Sequence, residues 1–346
     1  MNEHKTNTGN PEEPVRIQKS QPGSNSMNHF AKTAPVRKKT IGIIGASVMD
    51  LMVQGCPSSI LDVQSTPVKA IQISSGGDAF NESFLLARLK ADVTLHTLLG
   101  DDQAGAFLKD CAVQAGVHLS LPEWSVPTPV NVVLCDETGE RHFLTDPNTA
   151  LRKLSLKDLS DLDEEIIMLA SMFVSHELSI ADAASLFSRL KQEGKITCMD
   201  MTSPKKHETV SDLAPLLPYV DYLFCNRDEG SALCHTVELE AILNAFFQNG
   251  ARTVLLKDEA AGVHVLHQGT TRTIPAVPCP KVVSTNGCGD AFGAGFLFGL
   301  ANGLDFEQSV HIAATCGSLA ATCLGASSAF TEEVCHQIQN MVIADH

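Results

Sequence analysis

Short buried runs alternate with longer segments of helical spacing along most of the chain. Residues 40–45 form an apolar run that is typical of a strand buried on both faces of a parallel sheet. Apolar positions at helical spacing follow at 80–90 and 103–115, and a strand is predicted between them at 92–99. The first part of the folded sequence therefore predicts strands that alternate with helices.

The same order continues through the second half of the chain. Strands are predicted at 172–175, 196–199, 222–225 and 253–256, and a helical segment separates each strand from the next. Parallel strands need a long crossover between them, usually a helix, and this spacing provides one. The pattern predicts an α/β fold with a mainly parallel sheet flanked by helices on both faces.

Two stretches, 51–75 and 128–144, break this order with short strands and turn signals. We expect them to pair as a small sheet outside the main one, where it would form a lid over a cleft. Residues 1–38 are rich in Asn, Pro, Ser, Gln and Lys and have no periodicity, so they are predicted to be a disordered N-terminal extension. The folded domain is predicted to cover 39–346.

Composition narrows the class of partner. Hydrophobic residues make up 44% of the chain and charged residues 19%, as in ordinary globular proteins. A formal net charge of −15 argues against a nucleic-acid or anionic-membrane surface. No apolar run reaches the roughly 18 residues of a membrane span. The 11 cysteines include no Cys-x-x-Cys pair, which favours a cytoplasmic location over a disulfide framework.

A glycine-rich turn near the C-terminal end carries the strongest chemical signal. The β-branched run 281–283 predicts a strand, and a long apolar helical pattern begins just after the turn. Backbone N–H groups of Gly287, Cys288 and Gly289 would converge on an anion at the helix N-terminus. Asp290 could then accept a proton from a hydroxyl that attacks a bound phosphate. Such turns are also common in α/β proteins, where the helix dipole alone favours an acidic residue.

Polar side chains also follow the earlier strands. Asp50 comes just after the first strand, where its carboxylate could bind two neighbouring sugar hydroxyls or simply cap a loop. Asn81, at the start of the next helix, offers a donor and an acceptor to a polyol. Asn226 and Glu229 share a face of a helical turn, a pattern that suits either Mg²⁺ bound with phosphates or a capping box.

Taken together, these elements resemble the ribokinase-like (PfkB) carbohydrate kinase family. The resemblance spans about residues 40–329 and rests on several short motifs in the family's order. The motifs are Gly76-Gly77 with Asn81, Gly100-Asp101-Asp102 with Gly105, Asn226 with Glu229, and the segment Gly287 to Asp290.

The resemblance implies a Rossmann-like kinase domain with a β-sheet lid, which transfers the γ-phosphoryl group of ATP to a sugar or nucleoside hydroxyl. It makes Asp290 the catalytic base and the 287–289 backbone the anion hole, with Mg²⁺ held near Asn226 and Glu229. The acceptor would be bound by Asp50, Gly77, Asn81 and Glu177, and the nucleotide side would include Asn226, Lys257 and Gly262.

Two motifs depart from the family pattern. Ser284 stands where the signature commonly has an aspartate near a monovalent-cation site, so K⁺ is the cofactor that the resemblance supports least. The nucleotide-side segment 257–262 keeps only Gly262 of the usual Thr-x-Gly-x-x-Gly. Lys257 could offset phosphate charge there, whereas Glu259 would oppose a polyphosphate unless it points away.

The family resemblance leaves three candidate functions. The leading one is a kinase that acts on a small sugar. A nucleoside kinase of the same fold would need an apolar slot for the base, for which Phe80 and Met49 are candidates. A non-catalytic sugar-binding regulatory protein is the third, and it would not require Asp290. The lid strands could also pair with those of a second subunit, which predicts a homodimer through the lid.

Overall fold

The computed structural model describes residues 37–122, 126–136, 141–146, 149, 153–279, 281–323 and 328–344. The N-terminal stretch 1–36 lies outside these residues, so the disorder predicted for 1–38 stays a prediction. The described residues form two sheets and a set of helices.

The described residues contain thirteen strands. They are β1 (Ile41–Ile44), β2 (Val48–Gln54), β3 (Ala70–Gly76), β4 (Val93–His96), β5 (His118–Ser120), β6 (Val130–Cys135), β7 (Arg141–Thr145), β8 (Ile166–Leu169), β9 (Ile196–Asp200), β10 (Tyr222–Asn226), β11 (Thr253–Lys257), β12 (Val263–His267) and β13 (Thr270–Ile274).

Eight α-helices connect and cover these strands within the described part of the chain. They are α1 (Asp78–Arg88), α2 (Gln103–Ala115), α3 (Ile180–Gln192), α4 (Arg227–Cys234), α5 (Leu239–Gln248), α6 (Cys288–Ala301), α7 (Phe306–Ala320) and α8 (Glu332–Ala344). None of them is long and apolar enough to span a membrane.

The main sheet has nine strands in the order β13-β12-β11-β10-β9-β8-β1-β4-β5. All neighbouring strands from β11 to β5 pair in parallel, and β12 and β13 add an antiparallel hairpin at one edge. The carboxyl ends of the parallel strands therefore all lie at the same end of the sheet, which is where an open α/β sheet binds ligands. The predicted mainly parallel sheet is confirmed, and the edge hairpin was not predicted.

Helices cover both faces of the main sheet, as predicted. Strand β8 shows why: Ile166 and Met168 belong to one apolar cluster, and Ile167 and Leu169 belong to the other. The first cluster includes side chains of α1, α2, α6, α7 and α8, and the second includes side chains of α3, α4 and α5. Burying each large apolar side chain contributes about 1.5–3 kcal/mol, so both faces of the sheet stabilise the fold.

A second sheet in the order β3-β2-β6-β7 corresponds to the predicted lid. Its strands lie within or next to the predicted stretches 51–75 and 128–144, although residues 137–140 lie outside the described residues. The register pairs Asp50 with Ser74 on one side and with Asn131 on the other. These three residues therefore share one face of the small sheet.

One predicted strand, at 172–175, is wrong. The strand before it in the chain is β8, four apolar residues that are all buried. After β8 the backbone turns, because Ser171 and Phe173 adopt the left-handed region with φ of 58° and 78°. Non-glycine residues rarely adopt this region, and it cannot continue a strand.

The strand predicted at 281–283 is also wrong. Val282 and Val283 are 63% and 40% exposed, so this β-branched run is not buried against the sheet. The backbone N–H groups of Val283 and Ser284 both donate to the carbonyl of Ala321 instead. β-Propensity alone did not produce a strand here, because it depends on packing against neighbouring strands.

A buried pair of polar side chains, His96 on β4 and Glu164 just before β8, spans strand β1 of the main sheet. His96 Nε2 lies 3.1 Å from Glu164 Oε1, and the two side chains are only 5% and 10% exposed. Burial raises the pKa of the Glu164 carboxyl, but hydrogen bonds from His96 and Thr94 outweigh it and lower the pKa to about 2. The ionised carboxylate therefore stabilises the fold above its unfolded-state pKa, and this contribution is lost as the pH falls toward 2.

We expect Glu164→Gln to lower the free energy of unfolding by about 2 kcal/mol at pH 7, because hydrogen bonds to a buried charged group are lost. The difference from the unmodified protein should shrink between pH 4.5 and 2, the range over which the carboxylate takes up its proton. Urea unfolding at several pH values measures both effects. Glu165→Gln is the matched control, since Glu165 forms an exposed ion pair with Arg37. Equal losses in both variants would contradict the prediction.

Candidate active site

Helix α6 begins at the glycine-rich turn that the sequence singled out. Gly287 is the residue before the helix and has φ of 73°, a left-handed conformation that glycine adopts without strain. Cys288 is the first helical residue, and Asp290 lies in the first turn. From Ala291 to Ala301 every residue of α6 is buried, so the packing on all sides holds this first turn in place.

Asp290 contacts helix α1 across the cleft. The Nδ2 atom of Asn81 donates to Oδ2 of Asp290 at 2.6 Å, although the two residues are 209 positions apart. Two predicted site residues from opposite ends of the chain are thus brought together.

The surroundings of Asp290 oppose its negative charge. Burial raises the pKa of its carboxyl to about 8, and the nearby carboxylate of Asp78 adds to the rise. The hydrogen bond from Asn81 and the positive charge of Lys257 lower the pKa but do not cancel the effect. A carboxyl with this pKa can take and release a proton near neutral pH, as a general base must.

We expect Asp290→Asn to stabilise the protein at pH 8 by on the order of 1 kcal/mol or more, because a raised native pKa opposes folding once the group ionises. The native state of the unmodified protein holds the proton more tightly than the unfolded state does. Its stability therefore falls as pH rises from about 4 to 8, and the advantage of the variant should vanish near pH 4. Thermal unfolding across this range measures the difference. The exposed Asp161→Asn control should show no such trend.

The lid places a second carboxylate opposite α1. Asp50 Oδ1 accepts a hydrogen bond of 3.1 Å from Nδ2 of Asn131, its neighbour on β6. A Cβ at Gly76 would lie 2.2 Å from Asp50 Oδ2, so glycine is needed where the carboxylate lies against the backbone. Gly77 has φ of 91° and approaches the carbonyl of Ala46. Asp50 therefore lies against the glycine turn that leads into α1.

Two further carboxylates, Asp78 and Glu177, have different environments. Asp78, at the start of α1, accepts a hydrogen bond from the hydroxyl of the buried Ser171. Glu177 is exposed and forms an ion pair of 3.0 Å with Lys153. It does not follow a strand ending at Ser175, as the sequence suggested, so its predicted contact with the sugar stays a prediction.

The predicted nucleotide side contains a buried ion pair at the carboxyl ends of β9 and β11. Nζ of Lys257 lies 3.1 and 3.2 Å from the two carboxylate oxygens of Asp200. Burial lowers the pKa of Lys257, but the carboxylates of Asp200 and Glu229 outweigh it, so the net shift is upward. A Cβ at Gly289 would lie 3.3 Å from this Nζ, so the ammonium group contacts the first turn of α6.

Beneath these groups lies Glu82, a fully buried carboxyl on α1. Neither of its oxygens has a hydrogen-bond partner among the described residues. A Cβ at Gly293 on α6 would lie 2.9 Å from Oε1, so the glycine makes room for the side chain. Burial raises the pKa of Glu82 well above its usual value, and Asp200 and Asp290 add to the rise. Burial therefore opposes a negative charge on this carboxyl.

Asn226 and Glu229 form a capping box at the start of α4. The side chain of Asn226 accepts from the backbone N–H of Glu229, and that of Glu229 accepts from the N–H of Asn226, both at 2.8 Å. Burial raises the pKa of Glu229 to about 7, with Lys257 opposing the rise. The structure thus displays the capping alternative, and it does not test the predicted role in metal binding.

The oxygen donors of this region fit Mg²⁺ bound together with phosphates. No three His, Cys, Asp or Glu side chains of the described residues lie close enough to hold a metal ion by themselves. Mg²⁺ usually keeps several waters and takes one or two carboxylates plus substrate phosphates, so it does not need such a cage. The carboxylate of Glu229, which interacts with Lys257, is a protein group available for this.

The turn after β11 keeps the backbone of a glycine motif without all its glycines. Gly262 has φ of 97°, and a Cβ there would lie 2.2 Å from the carbonyl oxygen of Ile274. Glu259 stands where the family pattern has glycine, and it too has a positive φ, of 44°. A non-glycine residue in this region costs roughly 1–2 kcal/mol. The side chain of Glu259 is exposed.

We expect Glu259→Gly to raise the free energy of unfolding by up to about 1 kcal/mol. The substitution relieves the backbone strain at positive φ, but glycine also loses more conformational entropy on folding, which offsets part of the gain. Urea unfolding measures the change. Glu259→Ala is the matched control, because it also removes the carboxylate but keeps a Cβ at the strained position. Equal stabilisation by both variants would contradict a backbone origin.

Comparison with known proteins identifies the family of this chain. A model of the pfkB family of carbohydrate kinases matches residues 39–333. The chain therefore belongs to the pfkB carbohydrate kinase family. It is a sugar or nucleoside kinase of the ribokinase type, a phosphotransferase with an alcohol group as acceptor.

Individual relatives are distant. The ATP-dependent ribose-1-phosphate kinase of Halopiger xanaduensis is 28% identical over 272 residues, which cover 77% of this chain and 86% of the relative. The adenosine kinase of Saccharomyces cerevisiae is 30% identical over 256 residues, 69% of this chain and 67% of the relative. The structure of Arabidopsis thaliana ribokinase complexed with ribose and ATP has a TM-score of 0.69 at 21% identity, covering 87% of this chain and 99% of that one. This last similarity shows the ribokinase-like fold.

Three residues of the site were missed by sequence reasoning. Asp200 carries the same signal as Asp50, an acidic residue just after a predicted strand, and could have been found. Glu82 sits at a helical position with no distinguishing pattern, and Asn131 lies inside a lid strand. Neither carries a local signal, because their roles depend on groups far away in the chain.

Proposed function

We propose that this enzyme transfers the γ-phosphoryl group of ATP to a hydroxyl of a small sugar. The observation that carries the proposal is the 2.6 Å bond between Asn81 and Asp290. It joins the helix that borders the acceptor cleft to the first turn of the helix that would bind phosphate. A base at this junction can reach a hydroxyl on one side and a phosphoryl group on the other.

In this proposal the acceptor lies between the lid and α1. Asp50 and Asn81 accept and donate hydrogen bonds to neighbouring hydroxyls, and Gly77 lets the backbone approach the ring. Glu177 would supply a further contact at the rim. The carboxylates of Asp50 and Asp78 suit an acceptor whose bound end carries hydroxyls, because they would repel a phosphate at that end.

Oδ1 of Asp290 takes the proton of the attacking hydroxyl group. At the same time the oxygen of that hydroxyl group forms a bond to the γ-phosphorus. The bond from that phosphorus to the bridging oxygen of ADP breaks, and ADP leaves with the electron pair. Backbone N–H groups of Gly287, Cys288 and Gly289 would hold the oxygens of the phosphoryl group at the positive end of α6. Phosphoryl transfer depends mainly on such positioning and charge stabilisation.

On the nucleotide side, Asn226, Lys257 and Gly262 would contact ATP. Asn226 and Glu229 would hold Mg²⁺, directly or through water. Mg²⁺, when bound, offsets the charge of the phosphate oxygens. K⁺ remains the least supported cofactor, because Ser284 replaces the aspartate of the family signature. A cytoplasmic location also stays a prediction.

A sugar is favoured over a nucleoside by the position of one aromatic residue. Phe80, a candidate for stacking on a base, is 1% exposed and packs in the core against Phe84 at 6.2 Å between ring centroids. It is therefore not available to a ligand. The similarity to an adenosine kinase keeps a nucleoside as the second candidate.

The predicted homodimer through the lid is supported by an apolar stripe across the small sheet. Ile73, Leu51, Val132 and Leu144 are register neighbours, so they share the face opposite Asp50. Ile73 and Leu144 are 58% exposed. We propose that a second subunit covers this face, away from the acceptor cleft.

We expect ATP consumption, measured by a coupled ADP assay with Mg²⁺, to be stimulated most by a neutral sugar in a panel of sugars, sugar acids, sugar phosphates and nucleosides. Adding K⁺ should change the rate little. Asp290→Asn should lower kcat by about 10²–10⁴-fold, the usual contribution of a general base.

Asp161→Asn is the control in this assay, because this exposed carboxylate precedes β8 at the opposite edge of the sheet. A nucleoside as best acceptor would move the assignment to the second candidate. Full activity of Asp290→Asn would overturn the role of the base.

A further inference from the structure

The ion pair of Lys257 and Asp200 lies between the ends of β9 and β11 and the first turn of α6. The two residues end strands β11 and β9, with β10 between them, so their side chains meet over the end of β10. Asp200 is 5% exposed, and the side chain of Lys257 is 16% exposed. Both carboxylate oxygens accept from the same Nζ, which fixes the direction in which the lysine side chain extends.

The held ammonium group faces the first turn of α6. Its distance of 3.3 Å from the Cβ position of Gly289 would be a tight contact for a side chain there. The positive charge also lowers the pKa values of Asp290 on α6 and of Glu229 on α4, so it lies within electrostatic reach of both. An anion bound at the start of α6 would meet Lys257 directly.

Folding alone gives little reason for this pair. Buried ion pairs can often be replaced by apolar residues of similar volume without loss of stability, since desolvation offsets their attraction. Here the region is already rich in buried carboxyls, including Glu82 and Asp290. A fixed cation among them would, however, meet the negative charge of a phosphoryl group without reorganising when the group arrives.

We propose that Asp200 is a positioning residue, which holds Lys257 at the first turn of α6 so that the lysine stabilises the phosphoryl group during transfer. The inference rests on the proposed function. In it Lys257 contacts the transferred group and Asp200 acts through Lys257. Lys257 therefore has a narrower task than general binding of the nucleotide.

The test combines kinetics with equilibrium binding. Lys257→Met should lower kcat by about 100-fold, in the range found when one donor to a developing charge is removed. The KM of the acceptor should change by less than about twofold, because the lysine does not touch the acceptor. Asp200→Asn should lower kcat by about tenfold. The double variant should be no slower than Lys257→Met, because residues that act as a unit are not additive.

A binding measurement that does not depend on catalysis separates this inference from the proposed function. Calorimetry without an acceptor should show that Lys257→Met weakens ATP binding by at least about tenfold more than ADP binding, because the lysine faces the γ-phosphoryl group. If the unmodified protein phosphorylates no acceptor, the proposed function fails, but this comparison still tests the position of Lys257.

The control is a second lysine–aspartate pair at the opposite edge of the same sheet. Nζ of Lys191 lies 2.6 Å from Asp221, just before β10. Asp221→Asn should lower the thermal unfolding temperature and leave the kinetic constants unchanged. The double variant of Lys257 and Asp200 also controls for misfolding of the single variants, because it leaves no unpaired buried charge. The proposal would be overturned if the loss of kcat in the double variant equalled the product of the losses in the two single variants. It would also be overturned if Lys257→Met kept the preference of the unmodified protein for ATP over ADP.

Discussion

The attraction between Lys257 and Asp200 is the interaction on which the rest of the site depends. Asp200, Glu229, Glu82 and Asp290 lie around the carboxyl edge of the sheet, and burial raises the pKa of each of these carboxyls. Lys257 offsets part of their charge, and its own pKa is raised in return. Without this cation, more of the carboxyls would hold protons at neutral pH.

This balance explains why the residues proposed to serve catalysis also oppose stability. The role of base proposed for Asp290 needs a pKa near neutrality, and burial near other carboxylates provides that pKa. The same burial costs folding free energy once the group is ionised. The structure tolerates this because two large apolar clusters, one on each face of the sheet, hold α1 and α6 in place. The two apolar clusters stabilise the fold, and the residues proposed for function lie at the carboxyl ends of the strands.

Much of the fold could be predicted from the sequence, because its signals are local. The buried run before Gly45 and the helical spacing of 103–115 correspond to β1 and α2. The strands predicted at 172–175 and 281–283 failed for the opposite reason. The first stretch lies in a turn with left-handed residues, and the second is exposed and bonds to the carbonyl of Ala321. Neither fact can be read from a short window of sequence.

The sequence by itself determined the class of the protein and the residues of its glycine turns, because backbone conformation at Gly77 and Gly287 depends on the residue at that position. It also located Asp290 and Asn81, but as two separate candidates. Only the tertiary structure decided that they bond to each other, that Phe80 is in the core, and that Lys257 is held by Asp200. These outcomes depend on distances between strands and helices that are far apart in the chain, and the order of strands in the sheet sets those distances.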